Sequence, residues 1–264
     1  MKSVGEMEFI AGVAAMSDAG AFDAKAVCRA AVGNADLTLG ADVRPVLEAL
    51  DNASGGRFRG VRASVCWDES EQLHNAAPQA KLLAESSVRE AIGVLADMNL
   101  SLDCWLYHTQ LPELIAVADA FPDLRIVLNH TGTPVLGGPY RDHQDEVRAD
   151  WARDMQLLSE RGNVFLKLGA LPARFDGENK ANKLPPSSED VARSWSPWMV
   201  ACIEWFGSDR CFFESNFPVH KNWVSYPVLW NAFKRIAADA GEDERLDLFA
   251  RTAIRAYRME GIEV

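Results

Sequence analysis

The feature that most constrains this chain is a repeated unit. A short apolar run ends in a polar cluster, and an amphipathic stretch follows. The apolar runs fall at residues 31–37, 58–63, 101–107, 124–129, 163–168 and 211–215. Helical periodicity occupies about 42–53, 72–98, 112–121, 142–160, 188–206 and 226–240, with further helices at 4–17 and 242–259. Strands this apolar, each followed by a helix, imply a parallel sheet covered by helices. Local signals agree. Pro112 suits a first helical turn, Ser187 with Glu189 and Asp190 suits an N-cap, and Gly162 suits a helix stop before a strand.

A parallel α/β sheet is either open and doubly wound or closed as a (β/α)8 barrel. The strands end in Gly60-Val61-Arg62, Tyr107-His108-Thr109-Gln110, Asn129-His130-Thr131-Gly132, Lys167-Leu168-Gly169 and Glu214-Ser215-Asn216. Polar clusters at one kind of position describe the C-terminal rim of a barrel. An open sheet would gather its chemistry at one switch point, usually with a glycine-rich phosphate turn, and the chain has none. The barrel is favoured, in an incomplete form with six β/α units. No repeat or linker divides the chain, so residues 1–264 read as one domain.

Charge narrows the partners. The chain carries 38 acidic and 27 basic side chains, a net charge of −11. That disfavours nucleic acid and anionic membranes. The longest apolar stretch, residues 9–16, is too short to span a bilayer, and Glu6 and Glu8 precede it instead of a basic leader. The five cysteines (28, 66, 104, 202, 211) are odd in number and form no C-x-x-C pair. They read as core thiols of a reduced, cytoplasmic protein. Trp195, Trp198 and Trp205 read as one helix face packed on the barrel.

The segments FRGVR, LDCWLYHTQLPEL, FPDLRIVLNHTGTP, GNVFLKLGAL and DRCFFESNFPV, in this order, resemble the amidohydrolase-related (amidohydrolase 2) family. The resemblance implies a TIM-barrel hydrolase akin to sugar-lactone and pyrone-dicarboxylate lactone hydrolases, with the strands here matching the third to eighth. Two departures stand out. The family's first-strand H-x-H pair is absent, which points to a reading frame that starts after the first two β/α units. The family's eighth-strand aspartate, a general base and ligand, is replaced by Asn216 in Glu214-Ser215-Asn216-Phe217-Pro218.

His130 ends its strand before a glycine turn, where it serves as a metal ligand or carbonyl-polarising group, or else holds the turn. The family places its sixth-strand histidine here. Asn216 has no useful basicity, so its role is to orient water or donate to an oxyanion, against that of tying its own turn. Glu214, two positions earlier on the same face, is the candidate to supply the missing carboxylate, against a paired structural acid. Arg62 suits carboxylate recognition, and Arg59, on the other face, reads as a structural ion pair. His108 and Gln110 share a face, as acid/base and substrate contact or as surface residues. Lys167, in an apolar strand, reads as a substrate cation or depressed-pKa base, or as a snorkelling lysine. His143 and His220 read as loop surface, with the rim in reach of His220, and His74 as helix surface.

These assignments describe a hydrolase for a small acidic lactone or related cyclic ester or amide. Water oriented by Asn216 attacks the carbonyl, Arg62, Gln110 and Lys167 hold substrate, and Glu214 or His108 accepts the proton. A divalent metal (zinc or manganese) requires the first-strand histidines, since His130 is the one credible ligand. Two rivals are a non-catalytic barrel remnant completed by a partner or a second copy, and a metal-dependent decarboxylase of the same superfamily.

Overall fold

The computed structural model describes residues 2–23, 26–171, 185–259 and 261–262. Six strands form one parallel sheet in sequence order: β1 (Ala31–Gly33), β2 (Phe58–Ser64), β3 (Ser101–Trp105), β4 (Ile126–Leu128), β5 (Val164–Leu168) and β6 (Cys211–Phe213). The sheet curls into a half-barrel, an incomplete (β/α)8 architecture. Every expected strand forms, but β1, β4 and β6 keep only three residues each. The β1 run stops early because Asp36 caps a 3-10 turn, its Oδ1 accepting from the Thr38 amide at 2.9 Å.

The helices are α1 (Lys2–Asp18), α2 (Arg44–Ala53), α3 (Ser86–Asp97), α4 (Leu111–Ala120), α5 (Gln144–Ser159), α6 (Ser188–Phe206), α7 (Tyr226–Ile236), α8 (Glu242–Leu246) and α9 (Thr252–Tyr257). Ser187 and Asp190 close a reciprocal cap on α6, and Pro112 sits in the first turn of α4. The expected helix over 72–98 is corrected to α3 alone. Asn75 bonds both the amide and the carbonyl of Asp68, at 2.8 Å each, and Lys81 adopts a left-handed φ of 57°. Those interactions fold 72–85 into turns before α3 begins. The terminal helix is also interrupted, by a π-helical turn at Asp247–Arg251.

Period-two alternation divides the sheet into two chemistries. Val61, Leu102, Cys104, Ile126, Leu128, Val164, Leu166, Cys211 and Phe213 face outward into the large core beneath the helices. Trp198 of α6 packs edge-on against Trp151 of α5 with ring centroids 4.7 Å apart. The opposite, concave face carries the row Arg62, Asp103, Val127 and Phe165 and, one step further on, the pair Lys167 and Phe212. Its lower part is apolar, with Val127 and Phe212 packed against Ala256 and Tyr257 of α9. The last helix therefore covers the inside of the half-barrel. Four of the five cysteines are buried and all are unpaired. Among the described residues, no helix is long and apolar enough to cross a membrane.

Candidate active site

Two positions on the sheet accept only glycine. A Cβ on Gly60 of β2 would lie 2.0 Å from Ser101 Oγ, and one on Gly169 would lie 2.3 Å from the Glu214 carbonyl oxygen. Both close approaches hold neighbouring strands together at the concave face, and the second fixes where Glu214 leaves β6.

His130 follows β4 in a run of left-handed backbone: His130 (φ 61°), Thr131 (55°), Gly132 (68°) and Thr133 (39°). Non-glycine residues cost about 1–2 kcal/mol each in this conformation, so the turn needs support. Trp151 Nε1 donates to the Thr131 carbonyl at 2.9 Å, and the Thr131 hydroxyl donates to the Gly169 carbonyl at 3.2 Å. Strain held by tertiary bonds is characteristic of functional turns. Here it aims the imidazole across the concave face.

Glu214 Oε1 accepts from the His130 amide at 3.0 Å and also from His130 Nδ1. The second imidazole nitrogen, Nε2, lies 3.2 Å from Arg62 Nη2. A guanidinium only donates, so Nε2 is the acceptor and Nδ1 carries the proton. Burial alone would raise the pKa of Glu214, but His130 and Lys167 outweigh it and hold the carboxyl well below its usual range. Glu214 therefore stays ionised. A carboxylate so weakly basic, and bonded to the His130 amide and Nδ1, is placed to orient His130 rather than to take a proton from water as expected.

Lys167 Nζ lies 2.7 Å from Asp103 Oδ2 and 3.9 Å from Glu214 Oε2. Burial lowers the pKa of the ammonium, but Asp103, Tyr257 and Glu214 more than offset this and raise it. The reading of Lys167 as a depressed-pKa base is thus overturned, and its amine is committed to carboxylates of the protein itself. Tyr257 of α9 also donates to Asp103 Oδ2, at 2.7 Å. A continuous polar chain results, running from Tyr257 through Asp103, Lys167, Glu214 and His130 to Arg62. Asp103 and Tyr257 were missed in the sequence. An acid inside the apolar run Leu-Asp-Cys-Trp was a usable signal, whereas nothing local to Tyr257 marks it.

Gln110 is buried and engaged on backbone, its Oε1 accepting from the Trp67 and Tyr107 amides and its Nε2 donating to the Val65 carbonyl at 2.8 Å. His108 is buried against Tyr140, with the Val135 amide 3.4 Å from Nδ1. Burial lowers its pKa to about 4. Gln110 thus braces the loops after β2 and β3, and His108 braces the loops after β3 and β4, its amide donating to the Thr133 carbonyl at 3.2 Å. Arg59 bonds the carbonyl oxygens of Gly56, Phe58 and Arg258 instead of the expected acid.

His220, expected at the surface, is buried against Trp195. Burial depresses its pKa to about 4. His143 is exposed beside Glu146, and His74 lies in a turn stacked on Trp105. Asn216 adopts a left-handed φ of 49° just before the cis Phe217–Pro218 bond. Its carbonyl accepts from the His220 amide at 3.1 Å.

A parallel half-barrel with an oriented histidine at the C-terminal ends of its strands has its site where barrel enzymes build theirs. Residues 8–259 match the amidohydrolase family model, and the chain belongs to that family. It is 33% identical to the uncharacterized protein y4mH of Sinorhizobium fredii over 229 residues, 86% of this chain and 69% of that protein. An L-fucono-1,5-lactonase of Burkholderia ambifaria is 29% identical over 175 residues, 64% of this chain and 54% of the lactonase. The chain thus spans about half the length of that enzyme. Among solved structures, an amidohydrolase from Burkholderia multivorans with bound HEPES superposes with a TM-score of 0.71 at 24% identity, covering 90% of this chain and 76% of the other. A second crystal form of an amidohydrolase from that organism contains zinc.

The residues described here do not fit such an ion. Both nitrogens of His130 have protein partners, and the Arg62 and Lys167 cations flank the Glu214–His130 pair. Among the described residues no group of three or more His, Cys, Asp or Glu side chains is arranged to hold a metal.

Proposed function

We propose that the chain provides the reaction centre of a lactone hydrolase acting on a small acidic lactone. The observation that carries this reading is the relay in which ionised Glu214 fixes His130 with its Nε2 lone pair toward Arg62. Arg62 is a removable cap on the base. A substrate carbonyl or carboxylate oxygen draws the guanidinium away, because a charged acceptor outcompetes a neutral imidazole. Nε2 then accepts a proton from water as the water oxygen bonds the lactone carbonyl carbon. Arg62 stabilises the oxyanion, the ring C–O bond breaks, and the Nε2 proton passes to the leaving alkoxide. Lactone and water become the open hydroxy acid. Asn216 orients the attacking water at the rim. The likeness to L-fucono-1,5-lactonase supports a lactone as substrate.

The test is acid release, followed with a pH indicator, from L-fucono-1,5-lactone and a panel of sugar and pyrone lactones. His130→Gln should abolish turnover, and Glu214→Gln should lower kcat by roughly 10²–10⁴-fold through loss of the imidazole's orientation. Activity of His130→Gln equal to wild type on every substrate would sink the proposal.

A further inference from the structure

A surface helix that is apolar on one side only is ordinary, whereas one that is apolar on both sides needs a cover on each. Helix α1 is of the second kind. Its inner side, with Met7 and Ala14 buried and Val4 and Ile10 half-buried, packs into the core beside α2 and β1. On the opposite side Phe9 is 72% exposed and Met16 54%, and Phe9 is the most exposed large apolar side chain among the described residues. Gly5 and Gly12 complete this outer stripe at spacings of four, three and four residues. That is the spacing of a two-helix seam. The two glycines are unremarked by the backbone. Neither has a positive φ, and a Cβ on either would meet nothing within 4 Å. Glycine inside a helix is unfavourable relative to alanine, and no contact among the described residues asks for it here.

The order of the stripe selects its cover. Gly5, Phe9, Gly12 and Met16 alternate small and large, so the stripe is complementary to itself when reversed. In an antiparallel pair about a twofold axis between Ile10 and Ala11, Phe9 faces Gly12 of the other copy and Met16 faces Gly5. Each large side chain enters the space beside a glycine, and the helix axes approach to about 8 Å. Charge agrees with this register. Glu6 lies opposite Ala15 and Glu8 opposite Val13, so acid does not meet acid. Lys2, exposed at the start of α1, reaches the C-terminal end of the other helix, where a cation is favoured. A parallel pair would instead set Phe9 on Phe9 and Glu6 on Glu6.

We propose that the outer face of α1 is a dimer interface, and that its occupant is α1 of a second copy of this chain. The helix is about 25 Å long, so the pair buries less than the ~1,600 Å² of a standard interface. The dimer is correspondingly weak, with a Kd of about 10–100 μM. No residue of the His130 cluster belongs to this face, so the pairing is independent of the reaction proposed above.

The test is sedimentation velocity over a concentration series, with Tm measured alongside at low concentration. Wild type should pass reversibly from monomer to dimer. Phe9→Glu should weaken association roughly tenfold or more at an unchanged Tm, because the ring is exposed in the monomer. Gly12→Leu discriminates further. It makes the outer face more apolar and favours the helix, so Tm should hold or rise. The leucine nevertheless fills the space that Phe9 enters and should weaken the dimer roughly tenfold or more. Lys2→Glu should weaken it at low salt and have little effect at high salt. A chain that stays monomeric throughout would overturn the proposal. So would a dimer that Phe9→Glu leaves intact, which lies elsewhere on the surface, or one that Gly12→Leu leaves unchanged or tightens, which is unspecific apolar association. A monomer that instead binds phosphatidylcholine vesicles through Phe9 would assign the face to a lipid surface and refute the pairing.

Discussion

Replacing Asp103 by leucine should destabilise the protein severely, and replacing Lys167 by methionine in the same chain should restore most of the loss. Asp103 is fully buried and holds Lys167 Nζ at 2.7 Å and the Tyr257 hydroxyl at 2.7 Å. Without Asp103, the lysine's remaining ion-pair partner among the described residues is Glu214, at 3.9 Å. Removing one partner of a buried pair costs about 3–5 kcal/mol, because the other charge remains uncompensated. For a chain of this length each kcal/mol shifts Tm by about 2 °C, at the low end of the usual range, so Asp103→Leu alone should lose about 6–10 °C. Lys167→Met alone strands Asp103 with Tyr257 and should lose a similar amount. Together they place two apolar side chains beside Val127, Phe212 and Tyr257. The pair should then lie within about 2 kcal/mol of wild type, an interaction energy of several kcal/mol across the cycle. Tyr257→Phe completes the argument. In wild type it removes a hydrogen bond to a charged group and costs about 1.5–3 kcal/mol, whereas in the double variant it removes only an orphaned hydroxyl. Urea unfolding with fluorescence and circular dichroism in parallel reads all of these. A double variant destabilised by the sum of its parts would show that the two charges act independently, and the reasoning would fail.

Acid sensitivity should carry two separable windows. His108 is buried neutral, its pKa falling from 6.5 to about 4. The unfolded chain therefore binds its proton first as pH drops, and stability present above pH 6.5 is lost progressively toward pH 4, by about 3 kcal/mol in all. His108→Phe should flatten that slope in urea midpoints measured from pH 7.5 to 4, leaving the share owed to His220. Glu214 acts lower, since its depressed pKa gives stability present above about 4.5 and lost as pH falls toward about 2. At the rim, Asn216→Gly preserves the left-handed backbone while deleting the amide. It should cut lactone kcat by roughly tenfold without changing Tm, and an unchanged kcat would remove Asn216 from the reaction.

The two periodicities made the fold legible. Apolar runs and helical faces placed all six strands and the large helices, because a sheet covered by helices needs those patterns whatever its function. Boundaries failed where local side-chain bonds compete with the repeat, as at Asp36 and Asn75. The site was legible in part. His130, Arg62, Lys167 and Glu214 announce themselves as polar groups at strand ends, and the structure brings these four together. Their protonation and partners could not be read, because a raised or lowered pKa depends on which groups meet across strands distant in sequence. His108 and Gln110 carried the same local signature and point into loop bracing instead, since the strand alternation that suggested a shared rim face ends at Trp105.

Tyr257 shows why the remainder was hidden. It lies 154 residues from Asp103 in the chain, on the terminal helix, whose place against the concave face no local pattern marks. Inside the half-barrel it does two things at once. Its ring joins Val127 and Phe212 in an apolar floor, and its hydroxyl closes the far end of the polar chain that leads to His130. The floor excludes water from beneath Lys167, which strengthens each charge contact above it. The ionised state of Glu214, and with it the proton placement on His130, is therefore supported from below by Tyr257 acting through Asp103 and Lys167. A local sequence motif records the groups that do chemistry, whereas the groups that fix their charge states are recorded only in the topology.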